Sequence, residues 1–359
     1  MIIVDAHQDL AWNMLTFGRD YTQSAHQTRQ REQGTPIATY NGDTLLGWPE
    51  YQQGRVALVF STLFATPLRR KLGAWDVLCY ADERQARALY RKQLTAYEEL
   101  VEKNPDKFSL IQTQADLQTL LQDWTNDPEA QNPVGLVVLM EGAEAIGEPE
   151  ELEEWWQAGV RIIGPAWAGN RYCGGTGEPG PLTTAGYALL EAMAAFGIML
   201  DISHMDEKAA LQALDIYPGQ VIATHANALR LLKESNSNRH LSDQVIRGLL
   251  ERDGVIGVMP FNSFLKVDWK RREEVSLRHL VAHIDLICQM AGDAHHVGLG
   301  TDFDGGFGWQ SVPVEIETIA DLQQLAGLLD EAGYPQDAIA AILGENWITC
   351  LKKSLPESL

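Results

Sequence analysis

The chain has 359 residues, 45% hydrophobic and 21% charged, the profile of an ordinary globular protein long enough to bury a full core. Lysine and arginine number 28 against 49 aspartates and glutamates, and the formal charge of −21 argues against binding nucleic acid or an anionic membrane, whose phosphates it repels. Four scattered cysteines, Cys79, Cys173, Cys288 and Cys350, form no CxxC pair, which excludes a zinc ribbon and points to free thiols.

In chain order, the first apolar run covers 2–4 and opens directly after Met1. No basic segment, apolar stretch and cleavage site of a secretory leader precede it, and no window approaches the ~20 apolar residues of a membrane span. A cytoplasmic, reduced location is expected. Residues 18–53 are polar, almost without core formers at 19–34, and are expected to loop over the mouth of the fold. A second run at 56–63 is followed by a long amphipathic helix at 83–103. Runs at 134–140 and 160–163 come next, then a segment at 167–181 with five glycines and two prolines, the mark of a second long loop. A helix at 183–196 leads to the run at 197–202, and a further run covers 221–224. The helix at 242–252 has Ser242 as N-cap and Gly254 just past its end. Runs at 255–259 and 297–300 and helices at 277–290 and 321–332 complete the chain.

The runs are continuous rather than alternating, as strands buried on both faces should be. Their alternation with helices predicts an α/β protein with parallel strands, and their count of eight favours a closed (β/α)8 TIM-like barrel in one domain, 1–359, over an open sheet. No GxGxxG follows the first run and no GxxxxGK[ST] occurs, so a dinucleotide or phosphate-loop reading lacks its main support.

Six residues able to bind metal or exchange protons sit just past these runs: His7 and Asp9 in VDAHQD, Glu141 in LVVLMEG, His204 in DISH, His225 in VIATH and Asp302 in GTDFDGG. A side chain at the C-terminal end of a barrel strand points into the mouth, where such a fold builds its active site. His7 and Asp9, two apart in extended chain, point the same way and can grip one ion; a loop histidine before a capping aspartate gives the same triplet. Glu141 after a buried run is either paired, bound to a cation or turned outward, because a lone buried carboxylate costs several kcal/mol. Three imidazoles with carboxylates offer the N and O donors that zinc accepts. Asp302 lies nearer the strand than Asp304, which reads with the glycines as turn chemistry.

These motifs, with GVRIIGPAW at 159–167, THA at 224–226 and NRHLSD at 238–243, resemble the renal or membrane dipeptidases, binuclear zinc metallopeptidases on an amidohydrolase-type, metal-dependent hydrolase barrel. The resemblance spans nearly the whole chain. It implies two Zn2+ per chain, Glu141 bridging them, His7 and Asp9 completing one site and His204 and His225 the other. It implies that Arg239 holds the free carboxylate of a dipeptide and that Asp302 is the acid–base group at the scissile bond. One departure stands out: Trp167 occupies the place of a substrate-facing histidine, and Asn170 or Arg171 is expected to supply polarity from the same loop.

The expected chemistry is hydrolysis of dipeptides by a hydroxide bridging two zincs, Asp302 passing the proton to the leaving amine. The resemblance extends this to D-configured C-terminal residues and to a homodimer. The alternatives are another hydrolase on the same barrel, acting on N-acyl amino acids or lactams, and a catalytically silent binding protein that keeps the barrel.

Overall fold

The computed structural model describes residues 1–126 and 130–358. Each of the eight apolar runs becomes a strand: β1 (Ile3–Gln8), β2 (Val56–Leu63), β3 (Val134–Glu141), β4 (Val160–Gly164), β5 (Met199–Asp201), β6 (Val221–Ile222), β7 (Ile256–Val258) and β8 (Val297–Leu299). Every residue in these strands is buried, because helices cover one face and the barrel interior the other.

All strand pairs in the barrel are parallel, and the order runs β6-β5-β4-β3-β2-β1-β8-β7. A single parallel bridge between Ala223 and Ile256 joins the two ends, so the sheet is a nearly closed barrel. Closure depends on two glycines. A Cβ on Gly257 or Gly300 would lie 1.9 or 1.7 Å from the Thr224 carbonyl oxygen, so only glycine lets the end of β6 approach β7 and β8. A short strand, Phe108–Leu110, extends the sheet beside the start of β3.

The principal helices are α1 (Leu10–Phe17), α2 (Glu83–Lys103), α3 (Gln114–Asn126), α4 (Thr184–Ala195), α5 (Glu207–Ile216), α6 (Asp243–Glu251), α7 (Leu277–Ala291) and α8 (Asn346–Ser354). α2 has the bounds expected from sequence, with Asp82 as its N-cap accepting from the Gln85 N–H at 2.9 Å. Thr183 and Ser242 cap α4 and α6 in the same way. The stretch expected as one helix at 321–332 instead begins as a 3-10 turn, Ile319–Gln323, and continues as Gln324–Glu331. The i, i+3, i+7 spacing of Leu117, Leu120 and Trp124, all buried, is the signal that marks α3.

Residues 18–53 are not an open polar loop. They carry short helices at Ala25–Glu32, Ile37–Asn41 and Trp48–Gln53. Arg19, Tyr21 and Glu32 are buried, because they pair with one another and with Asp304 rather than with water. Asp304 takes Arg19 at 3.0 Å, the Tyr21 hydroxyl at 2.9 Å, the Thr44 hydroxyl at 2.5 Å and the Leu45 N–H at 3.0 Å. It is therefore the anchor of this segment as well as a turn residue. The 167–181 segment holds an antiparallel hairpin, Cys173–Gly175 with Glu178–Leu182. All four cysteines are free, and no helix among the described residues is long and apolar enough to cross a membrane.

Candidate metal centre and active site

The strand ends converge as the (β/α)8 geometry requires. Glu141 is the last residue of β3, and its two oxygens face different histidines. Oε2 lies 3.4 Å from His7 Nε2; Oε1 lies 2.9 Å from His204 Nε2 and 3.5 Å from His225 Nε2. His204 and His225 Nε2 are 2.9 Å apart, and the His7 and His225 rings stack at 3.5 Å. Asp302 Oδ1 is 3.9 Å from His7 Nε2. Three donor triples have ligand atoms within 4.8 Å of one another: His7, Asp9 and Glu141; Glu141, His204 and His225; and His7, His225 and Asp302. The first two share Glu141, so one carboxylate spans two places able to hold a cation.

Neighbouring elements fix each of these side chains. On β1, Asp5 accepts the Thr301 N–H at 2.7 Å and hydroxyl at 2.6 Å, and the Asp302 N–H donates to the His7 carbonyl at 3.1 Å. This holds Asp302 in the left-handed region, φ 55°, beside His7. From α2, the Tyr90 hydroxyl donates to the Glu141 carbonyl at 2.8 Å, and the Tyr97 hydroxyl donates to the Thr62 carbonyl at 2.8 Å. Thr62 in turn donates its hydroxyl to Asp9.

The histidine tautomers follow from one hydroxyl. Thr224 Oγ1 donates to Asp201 Oδ2 at 2.6 Å, so toward His225 Nδ1 at 2.9 Å and His7 Nδ1 at 3.3 Å it can only accept. Both Nδ1 atoms then carry protons, and the lone pair of each neutral ring is left on Nε2, aimed at Glu141. His204 Nδ1 meets the Thr176 hydroxyl at 2.9 Å. His7 Nε2 is buried without a hydrogen-bond partner among the described residues. An orphaned imidazole nitrogen facing carboxylates, its far side held by an oxygen, is the arrangement of a metal ligand. The residues fit a divalent ion of the zinc type.

The electrostatics agree. Burial lowers the basicity of His7, but Glu141, Asp302 and Asp9 outweigh it and push the imidazole up to about 10. Without a metal, this proton is the cation of the cluster. Burial pulls His204 down to about 4 and His225 well below its ordinary value, with the Arg239 and His7 charges adding to the effect. Both are therefore neutral and able to ligate. Burial opposes ionisation of Glu141, yet the His7 charge and the His204 hydrogen bond hold its carboxyl well below the usual range. Burial and Glu141 raise Asp9 to about 7; burial, Asp9 and Glu141 raise Asp302 well above its ordinary value.

A confined cavity of about 120 Å³ opens onto this cluster, below the ~300–1,000 Å³ of sites for drug-sized ligands. Asp9, Glu141, His204 and Asp302 form its chemical end; Trp12, Phe64, Leu72, Trp75 and Trp167 form an apolar wall; Thr66, Arg70 and Asp76 add polarity. A larger groove of about 520 Å³ along α3 is lined by glutamine, leucine, threonine and asparagine with Lys352, and holds no acid–base or metal-ligating cluster.

Of the residues expected to meet substrate, Trp167 and Asp302 line the cavity. Asn170 does not: its amide donates to the Pro165 carbonyl at 2.8 Å and its oxygen accepts from the Tyr172 and Cys173 N–H groups, so it braces its own loop. Arg171 turns outward to Glu83. Arg239 is buried beside the cluster, its Nη1 and Nη2 each 2.6 Å from the carbonyls of Ser203 and His225. Trp12, Phe64, Leu72, Trp75, Arg70 and Asp76 carry no motif, so nothing local in the sequence marks them as part of a site.

The family profile described as membrane dipeptidase, peptidase family M19, matches residues 1–355. A Klebsiella pneumoniae relative, an uncharacterised protein in the pqqA 5′ region, is 33% identical over 271 residues, 73% of this chain and 94% of its own length. Among solved structures, a metallopeptidase described as dipeptidase AC aligns with TM-score 0.79 and 24% identity over 100% of this chain and 99% of its own. A Rhodobacter sphaeroides metallopeptidase, solved with a phosphinate mimic of the dipeptide L-Ala-D-Ala, aligns with TM-score 0.79 and 23% identity over 99% of both chains. At these identities the two structures establish a shared barrel.

Proposed function

The chain belongs to the membrane dipeptidase family, peptidase family M19, and is a peptide hydrolase; from that premise we propose that it is a zinc-dependent dipeptidase that cleaves the single peptide bond of dipeptides. The observation that carries this reading is the pair of donor triples meeting at Glu141, with Asp302 alongside. In this reading His7, Asp9 and Glu141 hold one ion, and Glu141, His204 and His225 hold the other. When bound, two zinc ions would bring the pKa of water down toward ~7 and polarise the scissile carbonyl, supplying a hydroxide nucleophile at neutral pH.

The protein's own residues do the rest. Asp302 takes the proton of the attacking water and returns it to the leaving amine, which its position beside His7 at the end of β8 allows. Arg239 receives the C-terminal carboxylate. It is a buried cation whose bonds go to neutral carbonyls, whereas Arg70, in the cavity wall, is already paired with Glu178 at 3.0 Å. Trp167 excludes water but cannot take up a proton, so acid–base work falls to Asp302. The confined cavity limits substrates to short ones, and the dipeptide mimic held by the Rhodobacter sphaeroides protein supports extending them to D-configured C-terminal residues. Four free thiols support the cytoplasmic location expected from the sequence.

The test is turnover of a small library of L,L and L,D dipeptides with zinc added and with chelator. Zinc-dependent release of free amino acids is expected. Undiminished turnover after complete metal removal, or no turnover of any dipeptide by zinc-loaded protein, would refute the assignment.

A further inference from the structure

The loop after β2 brings into the cavity a carboxylate that neither the metal cluster nor the proton transfer uses. Asp76 is 1% exposed and lines the same cavity as Glu141, His204 and Asp302. Its Oδ2 accepts the Leu72 N–H at 3.2 Å, while its Oδ1 is buried without a hydrogen-bond partner among the described residues. An unpartnered buried carboxylate oxygen costs several kcal/mol, so its place in a ligand cavity calls for a cationic donor supplied by the ligand. The arginine in the same cavity wall does not serve. Arg70 shares the cavity wall but turns to Glu178, which also takes Arg69.

The surroundings suit an ammonium group. Trp12, Phe64, Trp75 and Trp167 line the same space, and aromatic faces attract cations most where water is excluded. Trp75 is held rigid between Tyr40 and Phe17, stacked at 4.9 and 5.6 Å, so this wall is preformed.

We propose that Asp76 binds the free α-ammonium of the substrate and makes this enzyme selective for dipeptides with an unblocked amino terminus over N-acyl amino acids. The inference rests on the dipeptidase reading and deepens it. Arg239 and Asp76 would then read the two charged ends of one small substrate.

The test compares alanyl-alanine with propionyl-alanine, which differs only in lacking the amine, as substrates and as competitive inhibitors. Wild type is expected to favour alanyl-alanine by about 10- to 100-fold in kcat/KM, the worth of one hydrogen bond to a charged group. Asp76→Asn should lose most of that factor, mainly through KM, and leave propionyl-alanine within about threefold. Asp76→Glu should restore part of it. Wild type supplies a second reading that needs no variant: affinity for alanyl-alanine should fall as pH rises through the amine pKa of the dipeptide near ~8, and affinity for propionyl-alanine should not. An unchanged preference in Asp76→Asn, equal losses on both compounds, or a loss confined to dipeptides with lysine side chains would overturn the proposal while leaving the dipeptidase reading intact. Failure of wild type to cleave any dipeptide would instead remove the reading on which it rests.

Discussion

Thr224 offers the sharpest test of how the centre is built, because one hydroxyl sets two ligands. Thr224→Val keeps the shape and removes four contacts: the donor to Asp201 at 2.6 Å, the acceptor for His225 Nδ1 at 2.9 Å and His7 Nδ1 at 3.3 Å, and the Ser203 hydroxyl at 3.2 Å. Losing an outer partner of a metal-bound histidine costs about 10- to 100-fold in metal affinity. In the proposed pair of sites His7 would ligate one ion and His225 the other, so both ions should weaken, each by that factor. The metal-free protein should also lose about 1–3 kcal/mol of stability, because Asp201 Oδ2 loses its donor in a buried site. The assay is competition for zinc against a chromophoric chelator, with nitrogen chemical shifts of the imidazoles reporting the tautomers. Two ions bound within threefold of wild-type affinity, with unchanged shifts, would falsify the tautomer argument.

Three further outcomes are expected. Metal binding should strengthen with pH between about 6 and 8, by up to tenfold per unit for each proton displaced, because His7 is held protonated up to about 10 and must lose its proton to ligate. Calorimetry in buffers of different ionisation enthalpy should find between about one and two protons released per chain at neutral pH, one from His7 and a fraction from Asp9, which is raised to about 7; none released would contradict the His7 assignment. In the metal-free protein the sign reverses: the raised His7 value contributes stability that is full below about 6.5 and lost as pH rises through about 10, readable as a falling Tm. Glu141→Gln removes the negative charge common to both triples, and elemental analysis should find fewer than one zinc per chain; two zincs with full activity would exclude a bridging role. Asp304→Asn removes one of the two carboxylates on Arg19, which keeps Glu32, at a cost of about 1–3 kcal/mol, and hydrogen exchange should rise first across residues 18–53.

What the sequence made legible, and what it did not, divides along a physical line. A strand of a parallel barrel is buried on both faces, so its run of Val, Ile and Leu is visible without knowing its neighbours, and the residue after the run lies at the mouth. That is why His7, Glu141, His204, His225 and Asp302 could be named in advance as a converging set, and their bonds in the structure bring them together. The bonds of polar side chains have no such local signature. Asp304 reads as a turn residue because Asp and Gly favour left-handed backbone, and it is one, with φ 65°. Its carboxylate meets Tyr21 across 283 positions of chain and Thr44 across 260, and only the closed fold reveals that. The polarity of residues 19–34 misleads for the same reason, since Arg19 and Glu32 are buried against each other. Asp76 is the extreme case. In TPLRRKLGAWDVL it is one acid in a basic and apolar stretch, yet the loop after β2 brings it to the cavity with an oxygen left over. The metal cluster belongs to strand ends and so to the fold, whereas the groups that choose among substrates sit on loops, where only three-dimensional contacts identify them.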